Sequence, residues 1–248
     1  MFLAGRSEHR TRQVLDEIVA QTGNGALEFI PLDLGDLASV RACASEFLRA
    51  GERLRGLINN AGLAGQRGMT SSGFELAFGT NYVGPFLLTG LLLDRLRESA
   101  PARIVNVSSI GHYRAPGIDY EAVRQPTKSV TGLPEYAVSK LGNVLHAQEL
   151  ARRLEGERVT TYSLHPGAVA TDVWRRVPWP VRPLIKRRMR SPADGAATTL
   201  YCATSSEVDA ESGHYYDDCR RKQPSEAATQ QLAAELWDRS IAWVGLSA

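Results

Sequence analysis

Arg103-Ile104-Val105-Asn106-Val107-Ser108-Ser109 reads as a strand that delivers two serines at its carboxyl end. Ile104, Val105 and Val107 are β-branched and show no polar alternation, as expected when both faces of a strand are covered. Such strands lie in parallel sheets between layers of helix. The flanking sequence agrees: residues 74–96 have helical spacing before the strand. After it, residues 133–154 form a helix with Pro134 in its first turn and Gly156 past its end. Further out, strands are expected at 2–4, 26–31, Leu57-Ile58, 159–164 and 214–216. Helices are expected at 10–21, 37–50 (with Asp36 as N-cap), 193–203 and 227–243. Strands separated by helices of about ten residues or more imply βαβ units. The expectation is one α/β domain over residues 1–248.

Composition narrows the classes. The chain has 248 residues, 43% hydrophobic and 23% charged, which excludes a disordered or collagen-like chain. Its 29 basic and 27 acidic residues leave a net charge of +2, too small a field to demand nucleic acid as a partner. Cys43, Cys202 and Cys219 are odd in number and lack metal-ligand spacing. No metal site is expected, and a reducing cytoplasmic setting fits. The longest apolar run, residues 86–93, falls well short of the ~20 residues that span a bilayer. The first residues do not read as a signal peptide.

Chemistry is concentrated in Tyr136-Ala137-Val138-Ser139-Lys140. Residues four apart share a helix face, so the Tyr136 phenol is expected beside the Lys140 ammonium. A phenol titrates near ~10. Bringing it to ~7 takes roughly 4 kcal/mol, about what a cation at ~4 Å supplies at an effective dielectric near 20. Any positively charged cofactor would add to this. Three further stretches bear on the pair. Ser108-Ser109 closes the buried strand at the end where open parallel sheets bind ligands. Asn59-Asn60-Ala61-Gly62 forms a polar turn after the preceding strand. Asn81-Tyr82-Val83-Gly84 puts an amide and a glycine inside a helix, a broken local rule of the kind that marks a site.

With these residues in view, the chain resembles the short-chain dehydrogenases/reductases, in their retinol-dehydrogenase-like branch. The matching stretches are Leu3-Ala4-Gly5-Arg6, Leu32-Asp33-Leu34, Asn59-Asn60-Ala61-Gly62, Asn81-Tyr82-Val83-Gly84, Asn106-Val107-Ser108-Ser109, Tyr136-Ala137-Val138-Ser139-Lys140 and residues 165–171 (His-Pro-Gly-Ala-Val-Ala-Thr). The resemblance implies a Rossmann-like, doubly wound parallel sheet with helices on both faces. It implies Tyr136 as general acid or base, with Lys140 holding the nicotinamide ribose. Ser109 would bond the substrate oxygen, and Asn81 would anchor a water that links Lys140 to solvent. Asn59, Asn60, Ala61 and Gly62 would support the sheet and the adenosine ribose. Asp33 and Leu34 would contact adenine, and Pro166, Gly167 and Thr171 would wrap the nicotinamide end. Gly5 stands where an NAD enzyme carries Asp or Glu, and Arg6 follows, so NADP(H) is expected over NAD(H). The expected substrate is a small alcohol or carbonyl compound of lipophilic character. A sugar epimerase also uses a Tyr-x-x-x-Lys helix, but with a longer chain. Another alternative is a non-catalytic truncated paralogue acting as a binding or scaffold protein.

The family's first strand, glycine-rich turn and first helix have no counterpart, since no Gly-x-x-x-Gly-x-Gly precedes Leu3. In the order 3-2-1-4-5-6 that strand is central. Without it the neighbouring strands are expected to lack their shared ladder partner, at ~1–3 kcal/mol for each buried unpaired group.

Residues 174–190 carry Trp174, Trp179, three prolines and seven basic residues, and read as a solvated loop or as a lid that also makes weak contact with a membrane surface. Helices facing 91–96 and 141–145 are expected to pair subunits in a homo-oligomer. His112 is placed on a loop, at the substrate pocket or at the surface, and His165 is read as structural.

Overall fold

The computed structural model describes residues 1–167 and 192–247. Thr171 and segment 174–190 lie outside the described residues. In chain order the elements are β1 (Phe2–Gly5), α1 (Glu8–Thr22), β2 (Glu28–Pro31), α2 (Leu37–Arg49), β3 (Gly56–Asn59) and α3 (Leu76–Glu98). They continue with β4 (Ala102–Val107), α4 (Leu133–Arg153), β5 (Val159–His165), α5 (Pro192–Thr204), β6 (His214–Asp217), β7 (Arg220–Lys222) and α6 (Gln230–Val244).

The caps explain several boundaries. The Asp36 carboxylate accepts from Ala38 N at 2.9 Å and starts α2. Thr229 Oγ1 accepts from Leu232 N at the head of α6. Gly23 stops α1 with a left-handed φ of 69°.

β3, β4, β5 and β6 are parallel neighbours in that order, and β7 adds an antiparallel edge. β1 and β2 form a separate parallel pair. This is the Rossmann-like α/β arrangement, broken between β1 and β3. Among the described residues β1 is laddered only to β2 and β3 only to β4, the interruption expected from the sequence. Ile58, on the edge strand β3, is 44% exposed.

Successive residues of β4 point to opposite layers. Ile104 packs with Leu96, Leu150 and Val159, whereas Val105 and Val107 pack with Tyr162, Cys202 and Tyr216 beneath α5. The largest core joins α2, α3, α4 and α6. There Trp237 of α6 meets Phe86 of α3 edge-on at 5.0 Å, and Tyr82 Oη lies 2.7 Å from Ser240 Oγ. α6 thereby covers the flank of α3 and α4. Leu141, Leu145 and Leu96 are fully buried in their own chain, so these three side chains are not open to a second copy. For the same reason α3, although long and apolar enough to cross a membrane by length and composition, is a core helix: Phe86, Leu87, Leu92 and Leu96 are packed inside.

His146, on α4, lies among Tyr82, Phe86 and Trp237. Its Nδ1 meets no hydrogen-bond partner among the described residues, and burial pushes its pKa down to about 3. The unfolded chain titrates this group near ~6.5. The stability tied to the neutral ring is therefore complete above that value and is lost as pH falls toward the folded value. Between pH 7.5 and 5 the parent should lose about 2 kcal/mol more than His146→Leu, read from urea midpoints. Equal losses would disprove the assignment.

Candidate active site

α3 does not run as a plain α-helix. Residues Gly79–Val83 form a π turn, and Asn81 sits on it, nearly fully buried. Such turns widen the helix and re-aim a side chain. The Asn81 amide clamps the loop after β3: Leu63 N donates to Oδ1 at 2.8 Å, and Nδ2 donates to Leu63 O at 2.9 Å. Nδ2 also donates to Ser139 Oγ at 2.9 Å, which ties the π turn to the helix that carries Tyr136 and Lys140.

α4 places those two residues one turn apart. Lys140 is buried, and Nζ stands 5.7 Å from the centre of the Tyr136 ring. The ammonium donates to Val107 O, the last carbonyl of β4, at 2.7 Å. Ser108 Oγ donates to Lys140 O at 2.6 Å, so strand end and helix are tied in both directions.

Two glycines report how tightly the groups converge. A Cβ on Gly62 would stand 3.1 Å from Asn81 Oδ1 and 3.4 Å from Lys140 Nζ. A Cβ on Gly111 would stand 3.3 Å from Tyr136 Cε1 and 3.4 Å from Ser109 Oγ. Ser109, Tyr136, Lys140 and Asn81 thus converge at the carboxyl ends of β3 and β4.

The electrostatics differ from the expectation in one respect. Burial raises the Tyr136 phenol above its ordinary range, and the hydrogen bond with Ser109 offsets only part of this. Lys140 is itself pushed down to about 8 by burial, and its bond goes to Val107 rather than to the phenol. The lysine alone does not make the tyrosine acidic here.

A family model described as short chain dehydrogenase matches residues 1–179. The chain belongs to the short-chain dehydrogenase family. Curated relatives agree. Dehydrogenase/reductase SDR family member 13 of Bos taurus is 42% identical, over 99% of this chain and 67% of its own length. Retinol dehydrogenase 11 of Homo sapiens is 41% identical, over 99% of this chain and 78% of its own. Among solved structures, that of an uncharacterized protein from Mycobacterium paratuberculosis superposes with a TM-score of 0.72 at 28% identity, covering 99% of this chain and 84% of that one. The chain is an oxidoreductase of this family, whose fold implies a nicotinamide cofactor. The family match runs from residue 1 and does not confirm the absence of a glycine-rich start.

The family's other expected positions fall as follows. Arg6 is exposed just past β1. Asp33 Oδ1 accepts from Gly35 N, while Leu34 is buried in the core. Asn59 donates to Asn106 Oδ1 at 2.8 Å and to Thr89 Oγ1 at 3.0 Å, a buried brace across β3, β4 and α3. Asn60, Ala61 and Gly62 are exposed beyond it. Pro166 and Gly167 are half-buried at the end of β5.

His112 proves fully buried behind Ser109 rather than at the surface. Its spacing three residues after the serine was the only signal available for it.

Proposed function

We propose that this chain interconverts an alcohol and a carbonyl with NADP(H), through Tyr136, Ser109, Lys140 and Asn81, in a reducing cytoplasmic setting. The convergence of those four side chains at the carboxyl ends of β3 and β4 carries the reading. When bound, the dinucleotide supplies or accepts the hydride. Tyr136 would hand its proton to a carbonyl oxygen, or take one from an alcohol. Ser109 would donate a hydrogen bond to the same oxygen and stabilise charge that develops there. A phenol held above its usual range is protonated at neutral pH, the form that carbonyl reduction consumes. Lys140, whose ammonium has three N–H donors, would hold the nicotinamide ribose, and Asn81 would anchor a water beside it.

The residues present fit the nicotinamide-ribose end of the cofactor: a buried ammonium and an amide oxygen flank Gly62, whose missing Cβ keeps the approach open. Arg6, a fork of N–H donors past β1, suits a 2′-phosphate and supports NADP(H) over NAD(H). For the pyrophosphate the sequence offers no glycine-rich turn. Exposed apolar side chains border the catalytic residues in the chain: Ile110 follows Ser109, and Val130 and Leu133 precede Tyr136. They support a lipophilic substrate.

A panel of aldehydes, ketones and alcohols, followed by NADPH absorbance, tests the reading. It should be run on this chain and on one extended upstream by a strand, glycine-rich turn and helix. We expect turnover by the extended chain, with micromolar NADPH binding. The chain as given should bind NADPH far more weakly. Tight binding by the unextended chain would refute the role given to the glycine-rich turn. The rival, a non-catalytic binding or scaffold protein, predicts no turnover by either chain at any NADPH concentration.

A further inference from the structure

His112 lies in the 3₁₀ turn Ile110–Arg114, directly after Ser109, and is completely buried. Both of its ring nitrogens are engaged. Ser225 N lies 3.1 Å from Nε2, and a backbone N–H can only donate, so Nε2 accepts. The proton must then sit on Nδ1, which donates to Ser109 O at 2.6 Å. Tyr113 and Tyr215 pack against the ring at centroid distances of 4.0 and 4.6 Å and hold its plane. The same turn is tied a second time to the segment beyond β7, because Tyr113 Oη donates to Gln223 O at 2.6 Å.

These bonds converge on one residue. Ser109 O accepts from His112 N and from the His112 ring. Ser109 Oγ accepts from Gly111 N at 3.1 Å, which sets the hydroxyl within the same turn. Nothing else in the chemistry above uses the imidazole.

We propose that His112 is a positioning residue. As a neutral imidazole protonated on Nδ1, it fixes the backbone of Ser109 and latches it to the segment 223–225, so that the C-terminal region sets the aim of the serine hydroxyl. His112 does not touch substrate and acts only through Ser109. The inference deepens the alcohol–carbonyl reading and rests on it for its kinetic consequence. The latch itself does not.

The test compares three variants of the N-terminally extended enzyme. His112→Asn keeps a donor where Nδ1 stands, His112→Gln keeps an acceptor where Nε2 stands, and His112→Phe keeps only the ring. In Gln and Phe, kcat should fall about tenfold or more with the KM for NADPH unchanged, the cost of a small misplacement of a reacting group. Asn should recover kcat to within about threefold of the parent even where its thermal midpoint falls with the others. A fall in kcat that follows the thermal midpoint equally in all three variants would reduce His112 to a structural role. Parallel ¹⁵N spectra of the chain as given should show the His112 ring protonated on Nδ1, and the opposite tautomer overturns the latch. Absence of turnover in the parent overturns the alcohol–carbonyl reading instead, and the tautomer then decides the latch alone.

Discussion

Tyr136→Phe is expected to lower kcat by about 10²–10⁴-fold, the usual contribution of a positioned acid or base. The substitution removes one oxygen from a half-buried ring and leaves the packing of α4 intact. Its thermal midpoint should therefore stay close to that of the parent. The geometry places the phenol beside Ser109 Oγ, as the shared approach to Gly111 shows. Retention of a tenth or more of the parental kcat in the extended enzyme would remove Tyr136 from the chemistry.

Gly84→Ala is expected to destabilise the protein by about 2 kcal/mol or more, although alanine is the better helix former by ~1 kcal/mol. Gly84 follows the π turn in α3, and a Cβ there would stand 2.3 Å from the backbone oxygen of Leu34. That carbonyl belongs to the turn after β2, between Asp33 and Asp36, and as backbone it cannot turn aside as a side chain does. Gly90→Ala is the control. Its new methyl would meet only Leu246 Cδ1, the far end of a side chain that can turn away. Urea midpoints should fall for Gly84→Ala and change little for Gly90→Ala. A stabilised Gly84→Ala would show that helix propensity, not the contact with Leu34, governs the position.

Periodicity located the helices and the longer strands to within a few residues, because each long element repeats its own apolar spacing. β7 was missed. Its three residues, Arg220–Lys222, are charged and exposed, as suits an edge strand that must not recruit another chain. The hairpin before it turns at Asp218 and Cys219, both at positive φ, without the glycine that usually signals such a turn. The π turn at Asn81 was visible only as poor helix chemistry, since a widened turn leaves no period in eight or nine residues. Ser109, Tyr136, Lys140 and Asn81 were legible because each stands in a short motif at a fixed place on its element. His112 was not, since its partner Ser225 lies 113 residues away.

The order of residues alone determined that helices alternate with buried strands, and that a tyrosine and a lysine share one turn. Both are local facts, written in the spacing of side chains along a single element. Only the folded chain decided that burial raises the phenol, that α6 closes the flank of α3 and α4, and that a buried imidazole joins the serine's backbone to Ser225. Those outcomes depend on dielectric surroundings and on contacts between distant segments, and a one-dimensional pattern carries neither.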